Sequence, residues 1–418
     1  MKATIVIPSY WTAPSGKPTD KLLNIYDHPT PITEEGTLPR TLDSLLELEG
    51  DFNVCIIGTM TEENFRPQFE EKMAKLLEPY SAKLDLFYFG HSELNEFHRR
   101  LDESGLSFNK KYVNLDGYSN IRNLCIILPY LLGSEVAILI DDDEVIEDKK
   151  FVIKALDFMG GDFDGQKIIA KTGYYVDDCG RHLKECKYPW WEFFWKKMYL
   201  MEEVFKLVKE PPRLKKTPLA LGGGMVIHKE LFTKVSFDPF ITRGEDIDYL
   251  VNAKLHGVDF YLDNELYFVH LPPEEIKCRI KGFRQDIYRF YYERKKLMAA
   301  FKSAQFEKFS IEELDPYPGK LLRSSVYLKA LITAKLLTLR GIFKPEDRGQ
   351  WENIKVAVWD ACSYASKNKT NYFRFQKGWP PFMKIISEGY GDIPASIGSE
   401  ENGVKVSGEE DEQEMPGQ

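Results

Sequence analysis

The sequence lacks the signatures of several common protein classes. No stretch reaches the roughly 18 uncharged apolar residues that a membrane-spanning helix requires, and the first apolar run stops at Pro8, unlike a signal peptide. The cysteines show neither the CxxC pairs of a zinc site nor the density of a disulfide scaffold; they are Cys55, Cys125, Cys179, Cys186, Cys278 and Cys362. We therefore expect reduced thiols in a soluble, cytoplasmic protein without a transmembrane segment.

An excess of positive charge is also missing. The net charge is -9, and residues 400–418 supply most of it, with seven acids and one lysine. Nucleic-acid and anionic-membrane binders rely on clustered lysine and arginine, so this balance argues against both as general partners. Hydrophobic residues make up 43% of the chain, which is typical of a globular protein. The acidic segment 395–418 is expected to be disordered.

Short apolar strands alternate with helical patterns through the first two thirds of the chain. We predict strands at 4–8, 53–57, 84–88 and 136–140, and helices around 38–48, 65–77 and 118–132. This alternation predicts an α/β fold with a mixed, mostly parallel sheet flanked by helices. Segment 259–273 predicts two short strands that end in His270. We expect a catalytic domain over 1–273 and a helical C-terminal region over 274–394. The long segment 11–39 is expected to be a mobile lid or a local insertion.

Four acids follow directly on a predicted buried strand. The stretch AILIDDDEV (137–145) ends with Asp141, Asp142, Asp143 and Glu144 before Val145. Like charges this close raise one another's pKa values unless a cation, a proton or open water relieves them. One interpretation is a Mg²⁺ or Mn²⁺ site in which carboxylates and substrate phosphates share the ion. The other is a solvated turn before a helix N-terminus.

Three further motifs each allow a functional and a structural interpretation. RGEDIDYL (243–250) places acids before an amphipathic helix, either as caps or with a general base among them. His270 closes an apolar strand, as a ligand or as a structural histidine. The glycine triplet 222–224 permits close approach of a ligand or marks a turn, and it matches neither GxxxxGK nor GxGxxG.

Taken in order, these motifs resemble a family 2 glycosyltransferase with the GT-A fold, which is Rossmann-like. The resemblance covers about residues 1–270 and rests on TIVIPSYW, LPRTLDSLLEL, NIRNLCI, ILIDDDEVI, GGGMVIHKELF, RGEDIDYLVNAKLHG and the late histidine. It implies a nucleotide-sugar donor, a carbohydrate or other hydroxyl acceptor, a Mg²⁺ or Mn²⁺ cofactor and no nucleic acid. The oligomeric state stays open.

The resemblance also implies roles for single residues. The catalytic base would be Asp246, with Glu245 beside it near the acceptor, giving transfer with inversion. The metal ligands would be Asp143, Asp141 and His270. The nucleotide-sugar site would comprise Pro8, Ser9, Tyr10, Arg122, Asp141, Asp142 and Gly223. The acceptor site would comprise Gly224, Trp190 and Trp191.

One departure concerns the nucleobase. The family places an acid after the second strand of the sheet, whereas this chain has Thr59 and Thr61 there, followed by Glu62 and Glu63. Uridine specificity is therefore not implied. The basic residues after Glu274 offer a cation to the leaving diphosphate or form a solvated face; they are Arg279, Lys281, Arg284 and Arg289.

Three alternatives to an inverting transferase stay open. A retaining GT-A enzyme shares the DxD motif and the late histidine. A haloacid dehalogenase-type phosphohydrolase would use Asp141 as nucleophile and Asp143 as acid and base. A carbohydrate-binding protein would keep the fold without turnover. The aromatic stretch is either core or a stacking platform for a sugar; its residues are Tyr188, Trp190, Trp191, Phe193, Phe194 and Trp195.

Overall fold

The computed structural model describes residues 1–15, 26, 29–182, 189–273, 279–343 and 348–397. Its strands are β1 (Ala3–Thr12), β2 (Thr30–Pro31), β3 (Phe52–Met60), β4 (Leu86–Phe89), β5 (Val136–Leu139), β6 (Glu144–Val145), β7 (Asp162–Phe163), β8 (Gln166–Lys167), β9 (Ala170–Val176), β10 (Leu214–Lys216), β11 (Met225–His228), β12 (Tyr261–His270) and β13 (Ala395–Ser396).

The main sheet is mixed, and its long strands are mostly parallel. Its order is β10-β12-β9-β11-β5-β1-β3-β4-β13, with β2 on β1 and β6 on β12. Strands β1, β3, β4, β5, β9 and β12 run in one direction, and β11 runs against them between β5 and β9. Because parallel strands end at the same edge, the residues after β1, β3 and β5 meet there. The predicted fold class is thereby confirmed.

Helices cover both faces of this sheet. They are α1 (Leu38–Leu45), α2 (Arg66–Ser81), α3 (His91–Glu103), α4 (Tyr118–Leu131), α5 (Phe151–Leu156), α6 (Lys197–Phe205), α7 (Lys229–Phe232), α8 (Glu245–Leu255), α9 (Arg279–Ala300), α10 (Gly319–Leu322), α11 (Val326–Phe343), α12 (Arg348–Asn368) and α13 (Asn371–Ile386). The predicted helical C-terminal region is thus present as α9 to α13.

The alternation of side chains along β1 divides the core into two layers. Ile5 and Ile7 pack with α1, α2 and α5 on one face, and Val6 packs with α3, α4 and the C-terminal helices on the other. Successive residues of a strand point to opposite faces, and all ten residues of β1 are buried. A strand covered on both faces has a continuous apolar sequence, and the stretch TIVIP in β1 is such a sequence.

Several predicted elements differ in the structure. The two short strands expected over 259–273 form one strand, β12, whose register with β9 shifts between Leu262 and Tyr267. Helix α3 was not predicted, although Leu94, Phe97 and Leu101 form its buried stripe. Ala395 pairs with Tyr88 in an edge strand, so disorder at 395–396 is wrong, and residues 398–418 lie outside the described part.

Other expectations meet the limits of the described residues. Within segment 11–39, residues 16–25 and 27–28 lie outside it, so the lid or insertion stays a prediction. Cys55, Cys125, Cys179 and Cys362 are free thiols, whereas Cys186 and Cys278 lie outside the described residues. Among the helices described, none is both long and apolar enough to cross a bilayer.

Candidate active site

The acidic run lies at the carboxyl edge of the sheet, next to the end of β12. Strand β6 pairs antiparallel with β12, so that Glu144 stands opposite His270. The Nε2 atom of His270 lies 3.3 Å from Oδ2 of Asp143, and the Leu271 amide donates to the Asp143 carbonyl. Two residues that are 127 positions apart in the chain are therefore neighbours.

Asp142 turns from this edge toward β1. Its Oδ2 accepts a hydrogen bond from Ser9 Oγ at 2.6 Å, and Ser9 in turn accepts one from the Trp11 indole at 2.9 Å. Burial raises the pKa of Asp142 to about 8, against the Ser9 hydrogen bond and with help from Asp143 and Asp141. A raised pKa favours the neutral form of Asp142, and that form reduces the repulsion among these acids.

Glu144 folds back over the acidic turn, a role that sequence analysis missed. Its Oε2 accepts from the Asp141 amide at 2.9 Å. Burial, followed by the charges of Asp141 and Asp143, raises the pKa of Glu144 well above its usual value. The sequence signal for this hydrogen bond is the spacing of three residues between Asp141 and Glu144. In a run of four acids, that spacing does not single out Glu144 from the others.

Arg122 joins the acidic strand end to the first turn of α8. Its guanidinium is buried on α4, with Nη2 2.7 Å from Asp141 Oδ1 and Nε 3.5 Å from Glu245 Oε1. An arginine presents several donors in a rigid fork, so it can hold two carboxylates in fixed directions. Arg122, which is predicted to bind the nucleotide sugar, therefore also bridges the acidic run after β5 and the acids of α8.

The first turn of α8 holds Asp246 in a defined orientation. Gly244 precedes the helix with φ 68, a backbone conformation that favours glycine. Asp246 Oδ2 accepts from the Gly222 amide at 3.2 Å, and its Oδ1 accepts from the Ile247 amide at 2.7 Å. Three acids in this turn, Glu245, Asp246 and Asp248, lie where the helix dipole favours negative charge.

The glycine triplet is required by close approach of charged side chains. A Cβ atom at Gly222 would lie 2.5 Å from Arg122 Nη2, and one at Gly223 would lie 2.1 Å from both carboxylate oxygens of Glu144. At Gly224, with φ 93, it would lie 2.3 Å from the Phe268 ring. The triplet therefore lets β11 approach the acidic turn, and the donor role of Gly223 and the acceptor role of Gly224 stay predictions.

Three tyrosines cluster where β1 ends, beside the predicted donor residues Pro8 and Ser9. Tyr10 stacks on Tyr26 with ring centroids 4.3 Å apart, and Tyr118 meets both rings edge-on. The hydroxyl of Tyr10 is buried and has no hydrogen-bond partner among the described residues. Tyr10 and Tyr26 are only 9% and 4% exposed, so their stacked rings pack the end of β1.

Glu62, the first acid after β3, is engaged in the structure. Glu62 accepts hydrogen bonds from Thr12 Oγ1 at 3.2 Å and from the Ala13 amide at 2.9 Å. Thr59 Oγ1 donates to the Leu115 carbonyl at 3.4 Å. Glu62 therefore stabilises the end of β1 in this structure, and uridine recognition through it gains no support.

The aromatic stretch divides into buried and exposed members. Trp191 and Trp195 are 1% and 2% exposed and pack on Phe283 of α9. Trp190 and Phe193 are 55% and 62% exposed, and Tyr188 lies outside the described residues. The core interpretation holds for the first pair, and Trp190 is the predicted acceptor residue with an accessible ring.

Arg289 does not belong to a solvated face. It is 3% exposed, and a Cβ atom at Gly244 would lie 2.0 Å from its Nη1. Nη1 donates to Tyr317 Oη at 3.0 Å. Arg289 therefore packs behind the N-terminus of α8 and supports the turn that carries Asp246. Nothing is described for the side chains of Arg279 and Lys281.

The candidate metal ligands are partly assembled. Asp143 and His270 form a pair, whereas Asp141 is directed toward Arg122. In the described part of the chain, three candidate ligand atoms converge within 4.8 Å of one another at Asp177, Asp178 and Cys179, in a turn after β9. The set Asp141, Asp143 and His270 does not reach that spacing, and its role stays a prediction.

The pKa of Glu245 gives a stability prediction. Burial and then Asp246 raise it to about 7, against Arg122, with Asp141 adding to the increase. The folded protein thus retains a proton that the unfolded chain releases above about pH 4.5, and this contribution to stability is lost as pH rises through 7. Glu245→Gln should therefore raise the unfolding free energy by about 2 kcal/mol at pH 8 and by little at pH 5.

Urea unfolding at both pH values checks this expectation. Glu47→Gln is the control, because Glu47 is exposed and its partner is Lys149; it should change stability little at either pH. An equal gain for Glu245→Gln at both pH values would show that the buried carboxyl group does not titrate in this range.

Comparison with known proteins places the chain near two solved structures at low identity. A mannosyltransferase, PcManGT from Pyrobaculum calidifontis in complex with GDP-Man and Mn²⁺, shares 11% sequence identity at a TM-score of 0.43, over 93% of this chain and 87% of that chain. A mycobacterial protein shares 12% identity at a TM-score of 0.32, over 69% and 74%. No protein-family model and no curated protein matches the sequence. Likeness at this level supports no assignment, and function is argued from the site alone.

Proposed function

We propose that this protein is a divalent-metal-dependent glycosyltransferase of the GT-A type, which moves a hexose from a nucleoside diphosphate to an acceptor hydroxyl. One observation carries the proposal: Arg122 contacts both Asp141, at 2.7 Å, and Glu245, at 3.5 Å. Acids suited to a donor and acids suited to an acceptor thus share one edge of the sheet. Direct transfer needs both substrates held together in this way.

The residues at this edge fit a hard divalent cation. Asp143 Oδ2 and His270 Nε2 are 3.3 Å apart, and Mg²⁺ commonly uses one or two carboxylates together with substrate phosphates and water. Asp143 and His270 would hold the ion, and Asp141, fixed by Arg122, would face the donor. When bound, the ion supplies neutralisation of the charge on the leaving diphosphate.

Asp246 is the proposed general base. Its two carboxylate oxygens are oriented by the amides of Gly222 and Ile247. As the acceptor oxygen bonds to the anomeric carbon, the bond to the diphosphate oxygen breaks and the acceptor proton passes to Asp246. A single displacement of this kind inverts the anomeric centre. Glu245 lies beside this base, on the acceptor side.

The proposal predicts a specific loss in Asp143→Asn. Affinity for a nucleoside diphosphate in the presence of Mn²⁺ should fall at least roughly 10-fold, because a ligand of the ion is lost. Titration calorimetry measures the affinity. Asp178→Asn is the matched control, since it neutralises an acid in the other cluster of candidate ligands, and it should bind like the parent.

Parental affinity in Asp143→Asn would show that the ion, if bound, is held elsewhere. A thermal-shift screen of nucleotide sugars identifies the donor, since a ligand that binds the native state raises the melting temperature. Phosphate release from simple phosphoesters without any nucleotide sugar would instead favour the dehalogenase-type hydrolase. Donor binding without transfer to any acceptor would favour a binding protein.

A further inference from the structure

Large apolar side chains are exposed on one face formed by the aromatic stretch and α11. Helix α11 lies against the 3-10 turn Trp190–Glu192. Trp190 and Phe193 are 55% and 62% exposed, and Leu328 and Leu331 of α11 are 61% and 42% exposed. Exposed apolar residues scattered singly are ordinary, whereas neighbours on adjoining elements form a patch that marks an interaction surface.

Cations stand within this patch. Lys196 Nζ lies 4.7 Å above the Phe193 ring. Lys329 is half-buried, and its Nζ donates to the Lys320 carbonyl at 3.0 Å. Burial and then the charges of Arg323, Lys320 and Lys196 lower the pKa of Lys329, with Asp315 opposing the shift. We name the set the apolar-basic face; its residues are Trp190, Phe193, Lys196, Leu328, Lys329 and Leu331.

The sequence around α11 carries an excess of positive charge. Segment 316–343 contains five basic residues and no acid. Arg323 is paired with Asp315, but within the described residues neither Lys196 nor Lys329 forms an ion pair. The net charge of -9 argued against an anionic partner because it averages over the whole chain, including the seven acids of 400–418.

We propose that the apolar-basic face docks on an anionic lipid surface. Aromatic and leucine side chains would enter the boundary between head groups and acyl chains, and Lys196 and Lys329 would contact lipid phosphates. A second copy of the chain fits this face less well, because two such faces would bring four lysines together. Attachment of this kind is peripheral, in keeping with the absence of a spanning helix among those described.

The face is linked to the proposed acceptor side through neighbouring residues. Lys197, adjacent to Lys196, places Nζ 2.7 Å from Asp286 Oδ1 on α9. One turn further along α9, Arg289 packs against Gly244 before the turn of Asp246. Docking therefore brings the lipid surface to elements that support the site, while the docking itself does not depend on the proposed transfer.

Vesicle sedimentation with the full chain, without donor, tests the proposal. Phosphatidylcholine vesicles are compared with vesicles that also contain phosphatidylglycerol. The parent should bind the anionic vesicles and lose binding in 1 M salt, where screening reduces the reach of charge to about 3 Å. Lys196→Glu combined with Lys329→Glu should weaken binding at least roughly 10-fold, and Phe193→Ser combined with Leu328→Ser should weaken binding at low salt, where the parent binds.

The chain offers a matched control outside these elements. Phe108 is 65% exposed and carries Lys111 Nζ 4.1 Å above its ring, so Phe108→Ser with Lys111→Glu removes the same chemistry elsewhere. That variant should bind like the parent. Lys329 is half-buried and the other substituted side chains are exposed, so all three variants should melt within a few degrees of the parent.

Three results would overturn the inference. The first is equal sedimentation with neutral and anionic vesicles. The second is parental binding by the Lys196 and Lys329 variant. The third is a dimer in light scattering that Phe193→Ser with Leu328→Ser abolishes, together with no vesicle binding, which would assign the face to a second copy. Donor binding in calorimetry is measured separately, so failure here leaves the proposed function standing.

Discussion

Asp246→Asn should lower the rate of sugar transfer by roughly 10²–10⁴-fold, the usual contribution of a general base, while donor affinity stays unchanged. The acceptor hydroxyl must lose its proton as it attacks, and an amide cannot take that proton. The carboxylate of Asp246 accepts hydrogen bonds from the amides of Gly222 and Ile247, whereas that of Asp143 faces His270. The donor half of the site should therefore be preserved.

Kinetics with saturating donor, together with calorimetry, separate the two effects. The substitution also replaces one carboxylate oxygen by an NH2 group. One of the two hydrogen bonds from the backbone amides is therefore lost, at a cost of about 1 kcal/mol, and a melting curve measures that loss. Glu245→Gln is the companion variant, because it removes the neighbouring acid and leaves Asp246 intact. If Asp246→Asn retained parental transfer with normal stability, the base would be another group.

The strand pattern predicted that Asp143 and His270 lie at one edge of the sheet, where β5 and β12 end, and the two side chains are neighbours there. The acids of α8 approach that edge through Arg122, which contacts Asp141 and Glu245. What the sequence could not show is the contact made in three dimensions. Glu144 over Gly223 and Arg289 behind Gly244 depend on how β11 and α9 pack.

The misassigned elements have similar causes. Strand β12 was divided because Asp263 and Asn264 interrupt its apolar run, yet Asp263 is buried and bonds to Lys171 and Arg213. A solvated face is one of the two interpretations that the sequence allows for Arg289, because charge on a helix usually means exposure. Its burial follows from partners on distant segments, Tyr317 and Gly244, which periodicity along α9 does not reveal.

The largest effect on stability is expected from Lys296→Met. Lys296 is fully buried on α9, and its Nζ donates to Asp238 Oδ2 at 2.8 Å, to Asp248 and to Asn252 Oδ1 at 2.9 Å. Tyr292 also donates to Asp238. Removing the cation leaves two buried carboxylates without compensation, which typically costs about 3–5 kcal/mol, against a total stability of about 5–15 kcal/mol.

The cost should depend on pH. Burial raises the pKa of Asp248 to about 7, with Lys296 opposing the shift and with Asp238 and Glu293 adding to it. Without the lysine that pKa rises further, so the folded protein holds a proton that the unfolded chain releases, and the free-energy cost of this difference grows as pH rises from 5 to 8. Lys296→Met should therefore destabilise the protein more at pH 8, as urea unfolding at the two pH values measures.

A double-mutant cycle isolates the ion pair from the loss of packing. Asp248→Asn introduced into Lys296→Met should recover part of the lost stability at pH 8, because the uncompensated charge is gone. Lys295→Met is the control on the same helix, since Lys295 is only half-buried, and it should stay within about 0.5 kcal/mol of the parent. Additive costs for Lys296 and Asp248 would refute the ion pair as the anchor of α8. Because Asp246 and Asp248 share one turn of α8, that anchor also determines how firmly the proposed base is held.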